Sequence, residues 1–174
     1  MLDDSLNIVC LEKMDVVGVV EYLNETDSIS LALNIPSAKA YQSTYLSLSK
    51  KISQAGLRPY GKSASRQVLE TNAQDCFRAL IGKTPLPRRT FEGRVQRALI
   101  LYEQGVRITD PMDFFEEITR HHMLNGVFPN ELLHSAHELD ALAVAYVAWL
   151  AVNDAGQVET TPNQLILPKE LERD

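Results

Sequence analysis

The sequence has little of what would take it out of the ordinary globular class. It carries two cysteines, Cys10 and Cys76, among 174 residues. They stand far apart and outside any CxxC pair, so they supply neither a disulfide framework nor a zinc signature. The N-terminal MLDDSLNIVC is acidic and lacks the basic-then-apolar layout of a signal peptide. The longest apolar run follows Asp140 and falls short of the ~18 residues expected of a membrane span. No internal repeat or low-complexity tract is visible. Hydrophobic residues at 45% and charged residues at 23% are those of a globular chain. The length suits one domain over residues 1–174. The expected setting is reducing and cytoplasmic, with no membrane partner.

Positive charge is scarce except in one stretch. Net charge is −6, yet residues 58–107 hold ten Lys and Arg against four Asp and Glu, a local +6. The remaining 124 residues hold seven against nineteen, a local −12. Such asymmetry fits either an anionic partner on one side, nucleic acid above all, or a solvated basic helix face.

Several helices and strands are legible. LNIVCLEK (6–13) is β-prone and is expected to be a strand. DVVGVVEYLNE (15–25) reads as a helix capped by Asp15, with Val16, Val19, Val20 and Leu23 on one face. SISLALNIP (28–36) reads as a buried strand ending near Asn34. Residues 37–55 form an amphipathic helix capped by Ser37, with Ala38, Tyr41, Tyr45, Leu48 and Ile52 as its stripe and Gly56 as its stop. A basic loop follows, then a strand RQVLET (66–71). A helix over 72–82 has Asn72 as cap and Gly82 as stop. KTPLPRR is a proline-punctuated loop. A Thr-capped helix over 90–105 is expected to pack through Phe91, Val95, Ala98, Leu99 and Tyr102. Another over 109–122 begins at Asp110–Pro111 and ends with Arg120, His121 and His122. The segment NGVFPNE breaks the chain, and a β-prone NQLILPKEL ends it. Strands alternating with helices over short connections indicate an α/β sheet layered with helices. The later helices form an insertion at about 84–130.

HSAHELDALAVAYVAWLA (134–151) is a helix beginning near His134. From Leu139 to Val152 its only charged side chain is Asp140. Asp140 shares a face with Ala143, Val144, Val147 and Ala151, and the opposite side is apolar too. A helix apolar all round is buried all round. An acid on it is expensive unless paired, hydrogen-bonded or metal-bound. Its early position in the helix lowers that cost through the dipole, so a structural role stays open beside a catalytic or metal-binding one. His137 and Asp140 lie about 60° apart and can share a ligand. A zinc site with His134 is disfavoured, because that residue precedes the helix and adjacent His121 and His122 diverge. Capping by His134 and His137 is the plainer role.

From about Arg66 to Leu150 the sequence resembles a bacterial and archaeal family of predicted RNase H-like nucleases, long catalogued as a domain of unknown function. VLETNAQDCFRALIGKTPLP is similar to the family's strand with a glutamate and the short helix after it. RRTFEGRVQRALILYEQGVRITDPMDFFEEITRHHMLNG resembles the insertion of one subgroup. HSAHELDALAVAYVAWLA is similar to the closing helix with the last acid of the site. The resemblance implies an RNase H-like fold, a five-stranded mixed sheet flanked by helices. It also implies carboxylates gathered around two Mg²⁺ or Mn²⁺ ions that activate water and steady the leaving oxygen of a phosphodiester. Asp140 matches the helix aspartate, the candidate metal ligand and catalytic acid, and Glu70 matches the strand glutamate.

Two departures bear on activity. The family opens with a strand bearing a Gly-Ile-Asp-like motif, and nothing before residue 28 resembles it. The chain starts about two strands late. The family's Asp-x-Pro motif is here NIP, with Asn34 in place of the acid and Pro36 retained. An amide lacks the charge that holds a divalent cation. The resemblance therefore implies a degenerate, catalytically silent member that retains nucleic-acid or protein binding, with Arg88, Arg89, Arg94 and Arg97 as candidate phosphate contacts. One alternative is a working metal-dependent nuclease completed by another chain. The other is a structural protein dimerising through an exposed sheet edge, with Tyr146 and Trp149 contributing to an interface.

Overall fold

The computed structural model describes residues 1–36, 41–61, 65–112, 120, 124–126 and 133–170. In chain order its elements are α1 (Val16–Glu25), β1 (Ile29–Asn34), α2 (Gln42–Gln54), β2 (Arg58–Pro59), β3 (Arg66–Thr71), α3 (Ala73–Ile81), α4 (Phe91–Glu103) and α5 (Ala136–Asn153). A 3₁₀ turn at Ala155–Gln157 leads to β4 (Val158–Thr160) and β5 (Ile166–Pro168). The class is α/β, as the alternation of elements predicts. The strands are divided between two sheets rather than joined in one mixed sheet. Among the described residues, a parallel sheet has the order β1-β3-β2, and β4 and β5 form a separate antiparallel pair.

Local chemistry sets most element boundaries. The Asp15 carboxylate accepts from the Gly18 N–H at 2.8 Å and starts α1. Asn72 accepts from the N–H groups of Gln74 and Asp75 and starts α3. Gly82 ends α3 at φ +64, a left-handed conformation that side chains disfavour. Helix α5 begins after Ser135, not His134. Ser135 and Glu138 form a reciprocal capping box, and the backbone N–H of Ser135 holds the Glu138 carboxyl below the usual range. The His134 and His137 side chains take no part in that cap. Ser37 and Ala38 lie outside the described residues, and Tyr41 is exposed rather than part of the α2 stripe. The loop after Gly56 contains the short strand β2, which the sequence does not announce. Asp110 accepts from Met112 N–H at 2.7 Å, as a cap would. Most of the helix expected over 109–122, with His121 and His122, lies outside the described residues, as do residues 127–132.

The strand expected over 6–13 does not form. Asp3 Oδ1 accepts from the backbone N–H groups of Ser5 and Asn7, each at 2.9 Å. This winds the chain into a turn with Leu6 at φ +61. A side chain that bonds nearby backbone competes with strand pairing, and here it wins. Only isolated bridges, Leu2 to Ile8 and Asn7 to Arg107, remain. The wound segment lies against α5. Leu6 is buried beside Leu101 and Leu150, and the Trp149 indole N–H donates to the Asp4 carbonyl at 3.1 Å. Tyr146 is buried, stacks on Trp149 at 6.1 Å and donates to Gln104. Of the two side chains expected at an interface, Tyr146 is buried within the chain and Trp149 is half-buried.

Helix α5 organises the core. Its Val147, Ala148 and Ala151 pack towards the sheet with Leu69 and Ala32. Its Leu139, Leu142, Ala143 and Leu150 pack with Phe77 and Leu80 of α3 and Leu101 of α4. Burying each such leucine stabilises by roughly 1.5–3 kcal/mol. Helix α4, expected to open an insertion, belongs to this same core. Of the face expected for it, Val95 and Ala98 are buried and Tyr102 is exposed, while Arg97 and Leu101, outside that face, are fully buried. On the far side of the sheet, Leu23 of α1 and Ile52 of α2 meet Leu33 of β1. Arg66 at the start of β3 donates to the carbonyls of Leu23 at 2.7 Å and Ala55 at 3.0 Å, and also to that of Thr26.

The proline loop approaches α4 too closely for any side chain there. A Cβ on Gly93 would lie 1.9 Å from the Pro87 carbonyl oxygen. That oxygen is fixed in turn by the Thr90 hydroxyl at 2.9 Å. Gly93→Ala is expected to destabilise the protein by about 2 kcal/mol or more, since backbone and not a flexible side chain must yield. Urea denaturation at neutral pH measures it, and an unchanged midpoint would contradict the close approach.

Candidate functional site

Asp140 lies in the second turn of α5, beyond most of the help a helix dipole gives. The residue is 8% exposed. Its partner comes from the proline loop: Arg88 Nη2 sits 2.9 Å from Asp140 Oδ2. The same nitrogen lies 3.1 Å from His137 Nδ1. His137 and Asp140 do share a ligand, as their spacing suggests, and that ligand is an arginine.

A second guanidinium lies behind the first. Arg97 is fully buried, its Nη1 donating to the carbonyls of Leu86 and Gly93 and its Nη2 to Gln74 Oε1. It stacks over Phe77 with 5.2 Å between Cζ and the ring centroid. Burial works against its charge, and Asp140 supports it. Burial raises the Asp140 carboxyl above the usual carboxylate range, against the pull of Arg88, Arg97 and His137. Arg88 Nε and Arg97 Nε are buried without a protein partner.

The other expected site residues are dispersed. Side chains alternate across a strand. Ala32 of β1 and Leu69 of β3 face α5, so Asn34 lies on the α5 face of the sheet and Glu70 on the opposite face. Glu70 there accepts a short hydrogen bond from the Tyr45 hydroxyl of α2. Burial, then that hydrogen bond and the Glu70 charge, raise the Tyr45 phenol above its ordinary range. Asn34 Oδ1 accepts from Ala73 N–H at 3.1 Å and adds to the α3 cap. Asp140 and Glu70 are thus separated by the sheet. Among the described residues, no three His, Cys, Asp or Glu side chains are grouped to hold a metal ion.

The basic segment is divided: Arg58, Arg78, Lys83, Arg89 and Arg107 are exposed, whereas Arg66, Arg88, Arg94 and Arg97 turn towards protein groups. Arg94 donates to the carbonyls of Leu133 at 2.7 Å and His134 at 2.9 Å, which fixes the entry to α5. Arg97 has no exposed surface. Arg88 is part-exposed, and Arg89 is exposed. Of the four expected phosphate contacts, Arg88, Arg94 and Arg97 bond protein groups. The role of Arg88 was invisible in the sequence, because 52 positions separate it from Asp140 and no local pattern links them. The capping box Ser135-x-x-Glu138 was visible there as a signal.

A parallel sheet flanked by helices, with Asp140 paired to an arginine and Glu70 held by a tyrosine on the far face, defines an α/β protein whose candidate acids are both met from within the chain. The chain belongs to a family described as a protein of unknown function, DUF429, whose model matches residues 21–165. No curated protein and no solved structure matches the chain. Among the described residues, no helix is long and apolar enough to cross a membrane.

Removing Arg88 leaves a buried carboxylate uncompensated. The Arg88 side chain is 38% exposed and that of Asp140 11%, so the effect lies between those of surface and buried pairs. Arg88→Met is expected to cost about 1–3 kcal/mol at pH 7. A carboxyl whose folded value lies above its unfolded value binds more protons in the native state between the two. Its contribution to stability therefore falls as pH rises through the folded value. Without Arg88 the folded value rises further, so the deficit of Arg88→Met grows from acid to neutral pH and nearly vanishes below about pH 4. Denaturant titrations across that range test this, and a pH-independent deficit would show that the pair is not its source.

Proposed function

We propose that this chain is a catalytically silent protein of RNase H-like descent, in which Asp140 survives as the internal partner of Arg88. The observation that carries the reading is the 2.9 Å ion pair. A two-metal site needs carboxylates converging on hard cations with their oxygens free. Asp140 is instead met by a guanidinium, Glu70 is turned to the far face, and Asn34 brings a neutral amide. These three do not fit a pair of Mg²⁺ or Mn²⁺ ions. The reading keeps a single cytoplasmic domain, in line with its two free thiols. Burial pushes the Cys76 thiol up to about 12, which makes it a core residue rather than a nucleophile.

The direct test is cleavage of single-stranded and duplex RNA and DNA with Mg²⁺ or Mn²⁺. The expected result is no turnover above a metal-free control, in the wild type and in Asp140→Asn alike. Metal-dependent cleavage lost in Asp140→Asn would overturn the reading and restore the nuclease.

A binding role remains for the exposed cations of residues 58–107, which include Arg58, Lys83, Arg89 and Arg107. Weak, salt-dependent binding of oligonucleotides is expected, with the log–log salt slope reduced by about two in Lys83→Ala/Arg89→Ala. Fluorescence anisotropy over a salt series measures it. Binding that ignores salt, or that the double variant leaves intact, removes nucleic acid from the reading.

A further inference from the structure

Among the described residues, one edge of the parallel sheet, that of β1, has no strand beside it, and β1 pairs with β3 alone. Its ladder places the backbone groups unambiguously. Ile29 N–H donates to Ser65 and Ile35 N–H to Thr71, at 2.9 and 2.7 Å, so the odd-numbered residues point at β3. The N–H and C=O groups of Ser30, Ala32 and Asn34 point away from it. Edge strands are ordinarily guarded by charge, proline or a bulge. Ile29–Asn34 contains no charged residue and no proline, and its six-residue register with β3 is unbroken. Helices lie on both faces of the sheet, yet Ile29, Leu31 and Ala32 are only half-buried.

The helix above that edge has an uncovered flank of matching character. The side of α5 towards the sheet carries Val147 and Ala151, and α3 and α4 cover the side with Leu142 and Tyr146. Ala141 and Ala145 lie about 100° from the sheet-facing residues and away from α3 and α4. Ala141 is exposed and Ala145 half-exposed, and Val152 continues the stripe with 53% of its surface open. Small, uncharged residues therefore flank the open strand edge.

We propose that β1 pairs antiparallel with β1 of a second copy of this chain across a two-fold axis at Ala32. Self-pairing brings each residue near another from the same strand, so a charged strand would repel itself and this one does not. The outward groups fix the register. Ala32 faces Ala32 of the second copy, and Ser30 faces Asn34, in hydrogen-bonded pairs that add about six bonds. Leu31 then meets Leu33, and Ile29 meets Ile35, on the face covered by α1 and α2. The α5 helices of the two copies approach through Ala141 and Ala145, where small side chains permit close packing. The pairing is independent of the catalytic reading, since neither Asp140 nor Arg88 takes part.

Sedimentation velocity of the full chain over a concentration series, with amide exchange by NMR, tests it. The expected result is a concentration-dependent dimer in which the amides of Ser30, Ala32 and Asn34 exchange slowly. Ser30→Pro removes an outward N–H and no backbone bond to β3, at the cost of the 2.8 Å bond from Gln67 Nε2 to the Ser30 hydroxyl, and Ala141→Glu, which leaves β1 untouched, puts like charges at the helix contact. Each is expected to give a monomer with wild-type circular dichroism and fast exchange at Ala32 and Asn34, and in Ala141→Glu at Ser30 as well. A wild type monomeric at every concentration overturns the proposal. So does a dimer that both folded variants retain, which would mark another interface. A dimer whose three amides exchange quickly also overturns it, because the sheet edge is then unpaired.

Discussion

The structure depends on burying a helix that has almost nothing polar to offer. Helix α5 joins the sheet to α3 and α4 and receives the wound N-terminal segment, so most of the core forms around it. That arrangement tolerates a charge at Asp140 only because Arg88 reaches in from the proline loop. Burial opposes ionisation of the carboxyl, and the guanidinium offsets part of that cost. Arg97 and Gln74 stand behind the pair, and Gly93 lets the loop come near enough to present Arg88. The acid, the loop and the first turn of α4 are thus one unit.

Arginine is used here chiefly to satisfy carbonyls. Arg66 serves α1 and α2, Arg94 serves the approach to α5, and Arg97 serves the loop and α4. A planar guanidinium with five donors suits this work, since the last carbonyls of a helix have no intrahelical partner. The basic stretch of the sequence therefore has a third origin beside the two that its composition suggested. Arg66, Arg94 and Arg97 belong to that third origin, while Arg58, Arg78, Lys83, Arg89 and Arg107 stay exposed.

The fold was legible where the signals were local. Asp15, Asn72, Thr90 and Gly82 each act within three residues of their own position, and the structure places them as expected. Strands β1 and β3 were legible as apolar runs closed by polar residues. The N-terminal strand failed because Asp3 captures backbone groups that β-propensity does not weigh. The α4 face was legible at Val95 and Ala98, which are buried, but not at Arg97, whose acceptors lie on the proline loop, on α3 and on α4 itself. The site was less legible than the fold. Asp140 stood out for its burial, but nothing local indicated that its compensation would be Arg88 rather than a metal. Whether Glu70 can join Asp140 depends on which face of β3 it occupies, and strand register, not local sequence, decides that.

Arg66 has a wider effect than its half-buried position suggests. One side chain holds the Leu23 and Thr26 carbonyls at the end of α1, the Ala55 carbonyl at the end of α2, and the first residue of β3. Helix ends ordinarily fray one by one. These two share a fastener, so their last turns open together, and with them the start of the central strand. Under heat or denaturant this half of the molecule comes apart as one seam rather than as three separate edges.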